Sequence, residues 1–112
     1  MNAFICVGNF PMTNKVITEI STLSYWYLYL LECIDGSIYT GIARDVQARF
    51  STHQIGRGAR YTRAHRPLRV LAVAQFLDRS TAQRAEYQVK QLSAQRKRAI
   101  AQQLCAGQSV TL

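Results

Sequence analysis

From residue 25 onward the hydrophobic pattern of the chain switches between two periods. Residues 26–34, WYLYLLECI, form an aromatic and aliphatic run of strand length. Asp35-Gly36 is a turn pair, and 37–42 supply a returning strand, so a β-hairpin is predicted. Asp45 is a cap for a helix over about 46–55, with Val46 and Phe50 marking its core stripe. Gly56 and Gly58 end it, and 57-RGARYTRAHRP-67 reads as a basic loop closed by Pro67. Residues 68–76 predict a third strand with Val70, Ala72, Ala74 and Phe76 on one face. Ser80 or Thr81 opens a second helix through about Leu92. Ser93 caps a third over 94–105, with Ile100 and Leu104 as its packing residues.

The ends of the chain carry less. Asn9, Pro11, Thr13 and Asn14 interrupt residues 1–24, where Val16, Ile17 and Ile20 support a short helix or an added strand at most. Met12 is an alternative start. One domain is expected over 25–105, between an N-terminal extension (1–24) and a tail (106–112). No apolar run approaches the ~18 residues of a membrane span. Residues 1–12 lack the basic start of a signal peptide.

Three positions break the folding pattern, and such breaks point to function. His53 falls near the Val46/Phe50 stripe of the first helix, and Arg49 lies about 60° from Val46 on its edge, so both are expected to face the sheet. A guanidinium there is either a stem lying on apolar surface or a ligand for phosphate. The histidine is either a hydrogen-bonded, half-buried group or part of a site. On the second helix Ala82, Ala85, Val89 and Leu92 define the buried face, and Glu86 points within it. A carboxylate in that position loses hydration, and either Lys90 at i+4 or a cation must compensate.

The third break is a pair of tyrosines. A two-residue Asp35-Gly36 turn makes facing residue numbers sum to an odd number, which places Tyr29 and Tyr39 on opposite sheet faces. A three-residue loop such as Asp35-Gly36-Ser37 makes the sum even and puts both phenols on one face. Cooperation between them requires the odd-numbered turn.

Charge narrows the partners. Lys+Arg number 14 against 6 Asp+Glu, a net charge of +8, and eleven of the fourteen are arginines. Seven arginines and one acid, Asp45, lie between Arg44 and Arg69. A planar guanidinium suits phosphate oxygens, so a nucleic-acid partner competes with a merely solvated basic surface. Cys6, Cys33 and Cys105 have no CxxC spacing and are expected as reduced thiols of a cytoplasmic protein.

Together these residues resemble the GIY-YIG nuclease superfamily, closest to its small stand-alone bacterial proteins. Tyr27-Leu28-Tyr29 stands at the first motif and Tyr39-Thr40-Gly41 at the second. The arginine and histidine of 49-RFSTH-53 match the family helix, and Glu86 matches the metal-binding glutamate. The likeness covers roughly residues 25–104. Tyr27 stands where the name-giving glycine would be and is expected to pack on the face opposite Tyr29. Leu28 and Thr40 replace the isoleucines, and an asparagine used by some members has no counterpart.

The resemblance implies an α/β fold of the α+β type, a small, mainly antiparallel three-stranded sheet flanked by helices. It implies a Mg²⁺-dependent endonuclease, with Mn²⁺ as a substitute, hydrolysing phosphodiester bonds in DNA, with a link to repair or recombination; RNA stays open. The alternative is a nucleic-acid-binding module whose nuclease site is weak or partner-dependent. Glu86 is then the metal ligand and Arg49 braces the phosphoryl oxygens. Tyr29 takes the proton of the attacking water, Tyr39 orients that water, and His53 relays the proton or holds the phosphate. Positive charge from Arg49, the cation and the basic loop is expected to favour the phenolate. Arg57, Arg60, Arg63 and Arg66, with Lys90, are the expected backbone contacts. Tyr61 either stacks on a base or packs on the core.

Overall fold

In the computed structural model, which describes residues 3–5 and 25–105, the hairpin sets the geometry of everything else. β2 (Trp26–Cys33) and β3 (Ile38–Ala43) pair antiparallel, with Tyr29 opposite Gly41 and Leu31 opposite Tyr39. Facing numbers sum to 70, an even number. The connection is the three-residue loop Ile34-Asp35-Gly36, closed by the Cys33 N–H donating to the Ser37 carbonyl at 2.9 Å. It lies one residue earlier than the Asp35-Gly36-Ser37 example and has the same parity. Gly36 makes it possible, since its φ of +87° belongs to the left-handed region.

Tyr29 and Tyr39 therefore share a face. Tyr27 shares it too: side chains two residues apart point the same way, which corrects the expectation that Tyr27 lies opposite. It packs against the cluster containing Tyr29, Leu31 and Val73.

β4 (Pro67–Phe76) pairs antiparallel with the other edge of β2, completing the three expected strands. A fourth strand, β1 (Ala3–Ile5), adds to β4, giving the order β1-β4-β2-β3. The other readings within residues 1–24 fall outside the described residues. The β2–β4 register shifts between Leu30, opposite Ala72, and Leu31, opposite Val70. Leu71 is the extra residue. Val70 consequently changes sides and joins Leu31 and Val73, while Ala72, Ala74 and Phe76 stay together on the other face. Strict alternation cannot anticipate a bulge.

The helices cover both faces. α1 (Val46–Gln54) is capped as expected, Asp45 accepting from the Ala48 N–H at 3.0 Å. α2 (Arg60–Ala64) is a short helix inside the segment expected to be loop. α3 (Arg79–Lys90) is capped by Asp78 rather than by Ser80 or Thr81. The Asp78 carboxylate accepts from the Thr81 N–H at 2.8 Å and its hydroxyl at 2.7 Å. α4 (Ala94–Cys105) begins with Ser93 Oγ accepting from the Arg96 N–H. Ala101 and Leu104 bury it, with Ile100 half-buried beside them.

One sheet face carries Leu28, Leu30, Ile38, Ala72, Ala74 and Phe76 under α3 and α4. The other carries Tyr29, Leu31, Val70 and Val73 under α1. No helix among the described residues is long and apolar enough to cross a membrane.

Candidate active site

The site forms near β3, the last strand on its side of the sheet, where groups from the two faces meet. Tyr29 comes from β2, Tyr39 and Gly41 from β3, Arg49 and His53 from α1, and Glu86 from α3. All six line one cavity of about 340 Å³, joined by Arg57, Gly58 and Ala59 of the segment after α1. Each expected catalytic residue is thus at the same opening. Gly41 has a steric reason to be glycine: a Cβ there would sit 2.5 Å from the Tyr29 hydroxyl oxygen. The phenol lies across the strand where a side chain would otherwise stand.

The deepest groups are Tyr29 and His53, each 2% exposed. Their contact is a hydrogen bond of 3.0 Å between the Tyr29 hydroxyl and His53 Nε2. On the far side of the ring, Nδ1 is 2.6 Å from Thr62 Oγ1, and the Thr62 hydroxyl donates to the Ala59 carbonyl at 2.9 Å. The rings of Tyr39 and His53 are 5.0 Å apart. Burial pushes the Tyr29 phenol well above its ordinary range and Tyr39 adds to this, while Arg49 opposes them. The Arg49 charge favours the phenolate as expected, but by less than burial opposes it. Desolvation outweighs the guanidinium, and the Tyr29 oxygen keeps its proton. His53 is pushed the other way, below its ordinary value, by burial and then by Arg49, so its ring is neutral near neutral pH.

Arg49 and Glu86 are the charged pair at the opening. Arg49 is exposed rather than turned into the sheet, and no carboxylate pairs with it among the described residues. Glu86 is half-buried, with 20% of its side chain exposed, and its nearest cation is Lys90 Nζ at 3.5 Å. That distance is long for a charge-assisted hydrogen bond, so the carboxylate keeps acceptor capacity toward the cavity. No group of three or more His, Cys, Asp or Glu residues clusters as a ready cation cage among the described residues.

A profile of the GIY-YIG catalytic domain matches residues 25–99. The chain belongs to this family. A UPF0213 protein of Cupriavidus necator is 52% identical over 87 residues, covering 78% of this chain and 95% of the relative. One from Xanthomonas campestris pv. campestris is 54% identical over 72 residues, 64% of this chain and 71% of the relative. The solution NMR structure of the UPF0213 protein BH0048 from Bacillus halodurans is 44% identical, covers 70% of this chain and 83% of that one, and has a TM-score of 0.45. The GIY-YIG domain is a nuclease domain; it implies a nucleic-acid substrate, DNA, and divalent metals are its usual cofactors.

The residues expected to contact nucleic acid divide. Arg57 lines the cavity of the GIY-YIG residues. Arg63 and Arg66 instead line a neighbouring cavity of about 540 Å³, which shares His53 with the first and adds Thr62. Arg60 is exposed at the start of α2, and Lys90 is exposed beside Glu86. Tyr61 is not packed into the core. It is 39% exposed, and its ring stacks on His65 at 4.2 Å, which covers one of its faces. His65 in turn pairs with Asp35 of the hairpin loop.

Sequence reasoning missed Thr62, Gly58 and Ala59. A Cβ on Gly58 would lie 2.0 Å from His53 Nδ1, so this backbone is pressed against the imidazole. Glycine after a helix reads as a terminator, and only the folded contact reveals its second role.

Proposed function

We propose that this chain is a divalent-metal-dependent endonuclease that hydrolyses phosphodiester bonds in DNA, with Mg²⁺ as its metal. The observation that carries the reading is the gathering of Tyr29, Tyr39, Arg49, His53 and Glu86 around one opening. Glu86 would hold the ion: among the described residues it is the one carboxylate lining that cavity, and Mg²⁺ commonly takes one or two carboxylates together with water and substrate phosphate. When bound, the metal supplies neutralisation of charge on the leaving 3′ oxygen.

The chain's own groups do the rest. Arg49, exposed and unpaired among the described residues, receives the non-bridging oxygens and stabilises the charge that builds on them. The Tyr29 oxygen takes a proton from the attacking water as its own proton passes to His53 Nε2, 3.0 Å away. This relay needs no free phenolate, which suits a phenol held protonated by burial. Tyr39 orients the water from the same face.

The direct test incubates purified protein with duplex, single-stranded and branched DNA and with RNA. Each substrate is tried with Mg²⁺, with Mn²⁺ and with chelator, beside Glu86→Ala. Cation-dependent cleavage that vanishes in Glu86→Ala is expected. Full activity in that variant, or no cleavage of any substrate, contradicts the proposal. Glu86 has no cluster of further ligands around it among the described residues, which favours one second reading, a nucleic-acid-binding module whose site is weak or partner-dependent; retention of DNA without cleavage is its signature.

A further inference from the structure

His53 is held from the side away from the tyrosine, and that side decides which nitrogen carries its proton. Thr62 has one hydroxyl proton to give. Its Oγ1 lies 2.9 Å from the Ala59 carbonyl, which can only accept, so the proton goes there. The 2.6 Å contact between Thr62 Oγ1 and His53 Nδ1 must then be made by a proton on Nδ1. With Nδ1 protonated, Nε2 of the neutral ring presents a lone pair to the Tyr29 hydroxyl at 3.0 Å. The Ala59 N–H, 3.4 Å from the same Nδ1, asks for the opposite tautomer. It is the longest of these contacts, and the two shorter bonds made by Thr62 Oγ1 decide against it. Thr62 and His53 are both 2% exposed, and Gly58 closes on the Nδ1 edge of the ring.

We infer that Thr62 is a positioning residue that holds His53 in the Nδ1–H tautomer, so that bare Nε2 faces the Tyr29 hydroxyl. As an assignment of a role in cleavage, this rests on the nuclease reading. It gives the relay its direction: the phenol can release its proton only toward a nitrogen that has none. With the other tautomer Nε2–H would point at the Tyr29 oxygen, and the path for the proton would be blocked. α2, in the middle of the arginine-rich segment and buried only at Thr62, thus sets the protonation pattern of a ring on α1.

The test is ¹⁵N NMR of histidine-labelled full chain, at a pH where the imidazoles are neutral, with Thr62→Val and Thr62→Ser alongside. Wild type and Thr62→Ser are expected to carry the His53 proton on Nδ1, and Thr62→Val to move it to Nε2. In the cleavage assay Thr62→Val should lose about 10–100-fold in kcat, the usual cost of removing an outer partner of a working imidazole, with little change in KM. Thr62→Ser should stay within a few-fold of wild type. A wild-type ring protonated on Nε2 overturns the inference, as does a Thr62→Val protein still protonated on Nδ1, whatever its activity. If Thr62→Val does not fold, the wild-type and Thr62→Ser spectra still decide. The tautomer is read without turnover, so an inactive protein with Nδ1–H would sink the nuclease reading alone.

Discussion

The two faces of the sheet solve burial in different ways. Under α3 and α4 the core is mainly apolar, with Leu28, Leu30, Ile38, Ala72, Ala74, Phe76, Val89 and Leu104 buried alongside Thr40 and Lys97, whose Nζ donates to the Ile38 carbonyl at 3.1 Å. Its charged rim is paired, Glu32 accepting from Arg69 at 2.6 Å and from Arg98 at 2.7 Å. Under α1 and α2 the buried set includes a phenol, an imidazole and a hydroxyl joined in a chain. Burying polar groups costs free energy unless they are hydrogen-bonded, and replacing both partners with hydrocarbon of the same shape can be nearly neutral for stability. The first face is organised mainly for folding and buries the amine of Lys97 against a backbone carbonyl, while the second links its shifted titratable groups, Tyr29 and His53, to each other at an opening. Glu86 links the two, because it rises from the helix of the first face to the opening of the second.

Substitutions should separate the faces. The largest effect is expected for Arg49→Ala and Tyr29→Phe, each losing at least about 10²-fold in single-turnover cleavage. Their circular dichroism should match wild type; near-normal rates in either would remove that group from the chemistry. Leu30→Ala tests the opposite face. Leu30 is 1% exposed, and its truncation should cost about 2–5 kcal/mol in denaturant unfolding while leaving the rate per folded molecule unchanged. A rate loss as large as that of Arg49→Ala would mean the faces are not separable.

The rim pairing should appear in acid. Hydrogen bonds from Arg98 and then Arg69 hold the Glu32 carboxyl below its ordinary value of 4.5. Its contribution is thus complete above that value and is lost as pH falls through the lower folded one. Glu32→Gln should flatten part of the acid limb of Tm against pH; an unchanged limb would show the pairing to be idle. Asp35 and Asp78, also lowered, keep the remaining share. The smallest effect belongs to the exposed arginines of the second face. Arg60→Ala, Arg63→Ala or Arg66→Ala should each reduce the salt slope of DNA binding by about one. A slope that does not move would take that side chain off the phosphate path.

Much of this contrast was legible in the chain because it rests on local rules. Side-chain alternation ties the placement of Tyr29 and Tyr39 to the parity of the hairpin loop, and the folded register settles that parity in favour of one shared face. Glu86 inside the Ala82/Ala85/Val89 stripe is visible at helical spacing, as is the Asp45 cap. What escaped depends on contacts that close only in three dimensions. The bulge at Leu71 turns Val70 over without any signal in an alternating strand. Thr62 reads as one polar residue among arginines, and its partner lies nine positions away across a glycine-containing turn. The sign of the Tyr29 shift also needed the fold. Charge can be counted from a sequence, but the desolvation that outweighs it depends on how deeply the phenol is buried.

The central claim is that groups from both faces act as one site, and a double-mutant cycle on cleavage reads this most directly. Single-turnover rates would be measured for Tyr29→Phe, Glu86→Ala and the pair. If both belong to one reaction centre, the pair should lose little more than the worse single variant, because the first change already removes what the second would disturb. Losses that multiply, as for independent positions, would contradict it.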